Sequence, residues 1–367
     1  MNSENLPILE RRYTQQTPYY EQLASWREGM RYRYSPDMYL ITQNQFVALN
    51  RCGALMGEML DRSLGEQILE FRVDFVCGKD DKLYATEVQT DDRGFPAMLA
   101  TRNATGTPQT ELLSGVAAPL VAAMERTVGK PNFDLLITYD DYEQFYYSGF
   151  SDVSRILWDQ NPRASFLVAP RSAIATNENS TILTVPNEGV VLQIKPDLIW
   201  NFSSDPLPGR VIQPMVNKQV LLDAWRSEDP LYRQLREFIP EARPIDFEGM
   251  KDEKNDWILK PLDGKWSRGI TIGPQVSEDK WRKALRREEG LIAQRYIPPR
   301  TDWLTVRKKK STYSTYSEEP LYSRVEGYYC RTPQGWKLVD VLATCTPDIP
   351  VHGKRDCIMI PGVIADS

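Results

Sequence analysis

The sequence is poor in histidine. His352 stands alone among 367 residues, so multi-histidine metal sites are excluded and any Ser-His-Asp chemistry would depend on that one side chain. It lies in a Pro/Gly-rich turn, PVHGKRDCIMIPG, where a surface or hydrogen-bonded role is expected. The cysteines Cys52, Cys77, Cys330, Cys345 and Cys357 are odd in number and form no CxxC pair. That pattern fits reduced packing thiols in the cytoplasm better than a disulfide frame or a zinc site. No apolar run approaches the roughly 18 residues a membrane helix needs, and the polar start MNSENLPILERRYTQQ lacks the layout of a signal peptide. Basic excess is missing too. A net charge of −5 argues against a dedicated nucleic-acid surface.

What is present is an ordinary globular composition, 41% hydrophobic and 26% charged, in a chain long enough for two or three lobes. Apolar residues at Phe46, Leu49, Cys52, Leu55, Met56, Met59 and Leu60 predict an amphipathic helix over 43–62. The segment EFRVDFVCGKDDKLYATEVQ reads as a β-hairpin. FDLLITYDD, FLVAP and IKPDLIW read as buried strands, with the helical YEQFYYSGFSDVSRILW between the first two, predicting a mostly parallel sheet. VNKQVLLDAW reads as a helix, DWILKP as a strand and SRVEGYYCRTPQGWKLVDVLATC as a second hairpin turning at Thr332–Gly335. Arg307–Lys310 and the following STYSTYSEEPLYS read as a solvated loop.

The first hairpin carries the most information. With its turn centred between Asp80 and Asp81, Asp74 faces Glu87, Arg72 faces Gln89 and Val73 faces Val88. Opposed carboxylates repel, so they require compensation. Mg²⁺, which takes one or two carboxylates plus substrate phosphates, is the natural candidate. Gln89 adds an amide oxygen, and Arg72 is placed to hold a phosphate or a developing oxyanion. A hairpin whose charges simply face water explains the same residues. Asp91 and Asp92 are either further ligands or turn formers.

A second cluster lies in WILKPLDGKWSRGITIG. Lys260 ends a buried strand, where it is costly to desolvate unless it meets an anion, while Gly264, Ser267 and Gly269 let backbone N–H groups approach phosphate oxygens. A snorkelling surface lysine before a common turn explains the same residues. The spacing is neither Walker A nor a dinucleotide fingerprint. Further on, LIAQRYIPP is expected to leave backbone groups free beside an apolar wall, which would suit an adenine edge.

Taken in order, RxD(x12)ExQ, NK, LKPxxGxxSxG and AQxYI resemble the ATP-grasp superfamily in the circularly permuted arrangement of glutathionylspermidine synthetase and its relatives. The resemblance rests on short motifs over residues 70–300. It implies that Asp74, Glu87 and Gln89 bind Mg²⁺, where the family usually has Asn at the third position. It further implies that Arg72 assists phosphoryl transfer, that Lys218 and Lys260 bind the nucleotide, and that Gly264, Ser267 and Gly269 form the loop over the phosphates. Gln294, Arg295, Tyr296 and Ile297 would form the adenine hinge.

The expected fold is α/β (α+β), ATP-grasp-like and circularly permuted. Residues 1–115 and 299–367 would build the core sheet, 116–212 a small α/β domain and 213–298 the nucleotide lid. The expected activity is ATP- and Mg²⁺-dependent ligation of a small-molecule or peptide carboxylate to an amine. A small-molecule kinase or a non-catalytic ATP-binding protein are the alternatives. No nucleic-acid or membrane partner is expected, and the oligomeric state is open. Of the remaining charges, Arg324 ranks above Arg331 as an anion contact because it shares the register of a core-facing run.

Overall fold

The computed structural model describes residues 37–65, 68–90, 111–141, 147–177, 180–187, 190–202, 207–209, 218–262, 269–287, 290–309, 314–349 and 357–364. His352, Asp91, Asp92, Gly264 and Ser267 lie outside them.

The described residues open with β1 (Tyr39–Ile41) and α1 (Gln43–Leu64). Thr42 caps α1 with its side chain while the Gln45 side chain reaches back to the Thr42 N–H, satisfying two donors that a helix start leaves orphaned. Strands β2 (Glu70–Cys77) and β3 (Leu83–Gln89) follow. Next come α2 (Glu111–Val128), β4 (Asp134–Tyr139), α3 (Tyr147–Gln160) and β5 (Ser165–Pro170). The small strands β6 (Ile174–Asn177), β7 (Ser180–Asn187) and β8 (Val190–Ile194) precede β9 (Leu198–Asn201). After α4 (Gln219–Arg226) and α5 (Pro230–Leu235) come β10 (Ala242–Pro244), α6 (Phe247–Met250), β11 (Trp257–Pro261), β12 (Thr271–Ile272), α7 (Glu278–Leu285) and β13 (Leu291–Arg295). The chain closes with β14 (Thr301–Lys309), β15 (Ser314–Thr332), β16 (Gly335–Thr346) and β17 (Ile358–Ile364).

The large sheet runs β1-β17-β16-β15-β2-β3, with β14 on the first half of β15. Its strands thus come from both ends of the described chain. One face packs on α1, where Leu49, Cys52, Met56 and Leu60 meet Phe71, Phe75, Val325 and Tyr329. The approach is close. A methyl on Gly53 would run into the Tyr329 ring, and one on Gly57 into Trp336. On the other face, Tyr328, Val339 and Leu342 share a core with Leu120 and Met124 of α2. That core continues into the parallel sheet β5-β4-β9, as the alternation of strands and helices predicts.

A four-stranded sheet, β10-β13-β11-β12, has its own core of Met250, Trp257, Leu259, Trp281, Leu285 and Ala293. It is tied to the large sheet at the acidic hairpin: the Lys79 N–H donates to the Pro298 carbonyl (3.2 Å), and the Arg300 N–H to that of Cys77 (2.9 Å). Two expectations give way here. Helices α4 and α5, assigned to the lid, bury Leu221, Ala224, Leu231 and Leu235 in the core beneath the large sheet. Residues 307–309 and 314–323 are strand, not a solvated loop. Lys309 pairs with Ser314 and Thr301 with Tyr322 in a continuous antiparallel ladder, whose alternation of outward and inward side chains leaves Trp303 and Tyr316 exposed. All five cysteines are buried free thiols. Among the described residues no helix is long and apolar enough to cross a membrane, which leaves strands unjudged.

Candidate functional site

The pairs read from the sequence are the pairs observed: Asp74 faces Glu87, Arg72 faces Gln89 and Val73 faces Val88. The turn differs. Past Asp74 the register slips, so that Phe75 faces Ala85 and Cys77 faces Leu83, and Thr86 is the extra residue of a bulge. The Thr86 hydroxyl donates to the Asp74 carbonyl (3.2 Å). Its carbonyl accepts from Lys260 Nζ (3.2 Å), which joins β11 of the smaller sheet to the hairpin.

Strand β15 adds a third carboxylate. Glu326 pairs with Asp74 on the side opposite Glu87, giving a row Glu87–Asp74–Glu326 across β3, β2 and β15. Arg72, paired with Gln89 and Tyr328, forms the next row. Such a concentration of acid is tolerable only because cations interleave with it. Arg72 Nε lies 2.7 Å from Asp74 Oδ1, and its Nη2 donates to Asp74 Oδ2 (3.2 Å) and Gln89 Oε1 (2.9 Å). Arg324 spans the gap, with Nη1 3.3 Å from Asp74 Oδ2 and with Nη2 donating to Glu326 Oε1 (2.6 Å). Tyr328 OH (2.8 Å) and Thr344 Oγ1 (2.7 Å) complete the donors around Glu326. Lys218 Nζ is 3.0 Å from Glu87 Oε1, and Lys260 Nζ donates to Gln294 Oε1 (2.7 Å).

Burial sets the electrostatics. Asp74 is 1% exposed and Glu326 2%. Burial pushes the Asp74 carboxyl up to about 6 against the pull of Arg324 and Arg72. Burial works against ionising Glu326 as well, yet Arg324, Arg72 and the Thr344 hydrogen bond hold it at about 2. Glu87, also resisted by burial, is kept below the usual carboxylate range by Lys218 and Lys260. Burial brings the Lys260 ammonium down to about 8, with Glu87 opposing. With every group ionised, four cations (Arg72, Arg324, Lys218, Lys260) face three carboxylates (Asp74, Glu87, Glu326) among the described residues, an excess there of one positive charge.

The hinge region departs from expectation. β13 is an inner strand, bonded to β10 and β11 on its two sides, so Gln294 has no free backbone edge. The Arg295 N–H donates to the Glu241 carbonyl and the Tyr296 N–H to that of Asp256 (both 2.7 Å). The Arg295 side chain turns to Asp256 and the Trp257 ring. Among the described residues only the Ile297 N–H of that group has no backbone partner. The Gln294 side chain makes up for this. It is 1% exposed, and its Nε2 has no partner among the described residues while Oε1 serves Lys260. Gly269 has φ 77°, a left-handed turn that leads into β12.

Glu326, Tyr328 and Thr344 are the neighbours of the site that the sequence reading missed. The signal for the first two is the alternation Arg324–Glu326–Tyr328, the same one that marked Arg72 and Asp74, and Thr344 lies opposite Arg324 on β16. Arg331 belongs elsewhere, paired with Asp61 and the Ile68 carbonyl.

No family model matches the chain, and no curated protein does either. Its fold is similar to that of a glutathione synthetase like-effector from Globodera pallida, solved in apoform, with a TM-score of 0.59 over 99% of both chains at 9% identity. D-alanyl-alanine synthetase A from Vibrio cholerae O1 biovar eltor aligns over 57% of this chain and 88% of its own at 11% identity, with a TM-score of 0.27, too weak to bear on the fold. The chain is α/β, with a fold like that of the effector.

Proposed function

We propose that this protein is an ATP- and Mg²⁺-dependent ligase that joins a carboxylate to an amine, with its motifs in circularly permuted order. The observation that carries the reading is the opposed pair Asp74 and Glu87, flanked by Arg72, Lys218 and Lys260 within hydrogen-bonding or ion-pair distance of the same hairpin. Phosphoryl transfer asks for positioning and charge neutralisation and needs no histidine base. A cluster whose described residues carry an excess positive charge attracts a polyphosphate.

The residues fit magnesium when it is shared with phosphates. Among the described residues, no three His, Cys, Asp or Glu side chains are grouped to hold a metal by themselves. Mg²⁺, however, characteristically takes one or two carboxylates and completes its shell with phosphate oxygens and water. Asp74 and Glu87 would supply the carboxylates and Gln89 an amide oxygen. The metal would neutralise charge on the transferring phosphoryl group. Lys218 and Lys260 would hold the phosphates, and the Gly269 turn would lie over them. Arg72 would stabilise charge as the substrate carboxylate becomes an acyl phosphate, which the amine then attacks to give the amide, ADP and phosphate. The base would lie near Gln294, whose orphan Nε2 offers a donor, and the Ile297 N–H, which offers another.

A screen for ADP release over paired carboxylates and amines tests the reading. Release that requires both partners and Mg²⁺ supports the ligase. Release with an alcohol alone would make the protein a kinase, and ATP affinity without any release would make it a nucleotide-binding protein.

A further inference from the structure

Both carboxylates offered to the metal are already engaged by cations. Asp74 Oδ1 has Arg72 Nε at 2.7 Å, Oδ2 has Arg72 Nη2 at 3.2 Å and Arg324 Nη1 at 3.3 Å, and Glu87 Oε1 has Lys218 Nζ at 3.0 Å. A divalent ion that takes both carboxylates competes with these guanidinium and ammonium groups and adds to a charge that, among the described residues, is already positive. A polyphosphate has the opposite effect, because it offers the same cations a competing anion. We propose that Arg324 and Lys218 withhold Asp74 and Glu87 from divalent metal until a polyphosphate is present, so that metal and nucleotide bind only together. This inference rests on the nucleotide reading above.

Arg324 is built for the exchange. Its Nε and Nη2 hang from Glu326 Oε1 (3.1 and 2.6 Å), while Nη1 alone reaches Asp74. Letting go of Asp74 therefore does not undock the arginine, which stays anchored by its other two nitrogens. Its side chain is also more exposed than that of Asp74, 19% against 2%, so an anion arriving from water meets Arg324 before the carboxylate. Glu326 stays out of the metal's reach, with Arg324, Arg72, Tyr328 and Thr344 occupying its oxygens. By linkage, the nucleotide raises metal affinity by the same factor as the metal raises nucleotide affinity.

The probe is Mn²⁺, followed by water-proton relaxation enhancement, which separates manganese on the slowly tumbling protein from manganese chelated by free nucleotide. The wild-type protein alone should give no enhancement, and adding a non-hydrolysable ATP analogue should produce it. Arg324→Ala should bind Mn²⁺ without nucleotide with an affinity raised roughly tenfold or more over wild type. Lys218→Met, which frees the more exposed Glu87 and disturbs the buried core less, should show the same gain if Arg324→Ala fails to fold. Equal enhancement of the wild type with and without nucleotide overturns the proposal. So does nucleotide-free affinity in the folded variants no better than wild type. Absence of any analogue binding by calorimetry would instead strike the nucleotide reading itself, and this inference would fall with it.

Discussion

Adding ATP to this protein at pH 8 should draw protons out of the buffer. The source of the effect is Lys260, 7% exposed, bonded to the Gln294 side chain and the Thr86 carbonyl. Burial lowers its ammonium from an ordinary 10.5 to about 8, with Glu87 opposing. At about 1.4 kcal/mol per unit, that displacement corresponds to roughly 3 kcal/mol held against the charged form. A polyphosphate beside Nζ restores the charged form. At pH 8 the site should therefore take up about half a proton per nucleotide, approaching one near pH 9 and vanishing near pH 6.5. Isothermal titration calorimetry in HEPES and in Tris measures this directly, since the difference in binding heat scales with protons exchanged. Lys260→Met should flatten it. Buffer-independent heats at pH 8 and 9 with nucleotide bound, or an unchanged slope in Lys260→Met, would refute the reasoning. Stability carries the same signature. Between pH 8 and 10.5 the folded protein binds fewer protons at this lysine than the unfolded chain does. Wild-type stability should therefore climb with pH through that window relative to Lys260→Met, the penalty being fully present below it.

Asp74→Asn and Glu87→Gln should each abolish Mg²⁺-dependent ADP release while circular dichroism remains native; full turnover in both would reject the metal assignment. Arg72→Ala should depress kcat far more than it raises KM for ATP, as loss of a transition-state contact does, and equal changes would point to ground-state binding. Gly57→Ala forces a methyl into Trp336 and should cost about 1–3 kcal/mol of unfolding free energy by urea titration; an unshifted midpoint would contradict the close packing of α1. Glu326→Ala strips two buried guanidiniums of a shared counterion and should cost about 3–5 kcal/mol, with a wild-type melting temperature as the disproof.

The hairpin could be read locally because both of its strands and its turn sit in one short stretch, where alternation alone assigns faces. The Thr86 bulge could not be read, since a slip by one residue leaves the outer pairs unchanged. Glu326 carries the same alternation, but nothing local says that β15 lies beside β2, because that pairing joins distant parts of the chain. The expectation of a free backbone edge along β13 failed for a related reason. The strand that covers β13 is the three-residue β10, Ala-Arg-Pro, too short and too proline-marked to announce itself. Residues 307–309 and 314–323 misled because serine, threonine and glutamate look solvated, yet Thr315, Ser317 and Glu319 are half-buried along a ladder whose Tyr316 and Glu318 face outward.

The position of β2 between β3 and β15 also dictates when the protein can become itself. Until residue 324 has left the ribosome, the hairpin exposes an unpaired edge, and Asp74 lacks one of the two guanidiniums that compensate it. Closing so long a loop is entropically slow, so the nascent chain should dwell in a half-made state that chaperones can recognise. Premature termination anywhere before β15 would release not a weakened protein but an adhesive one.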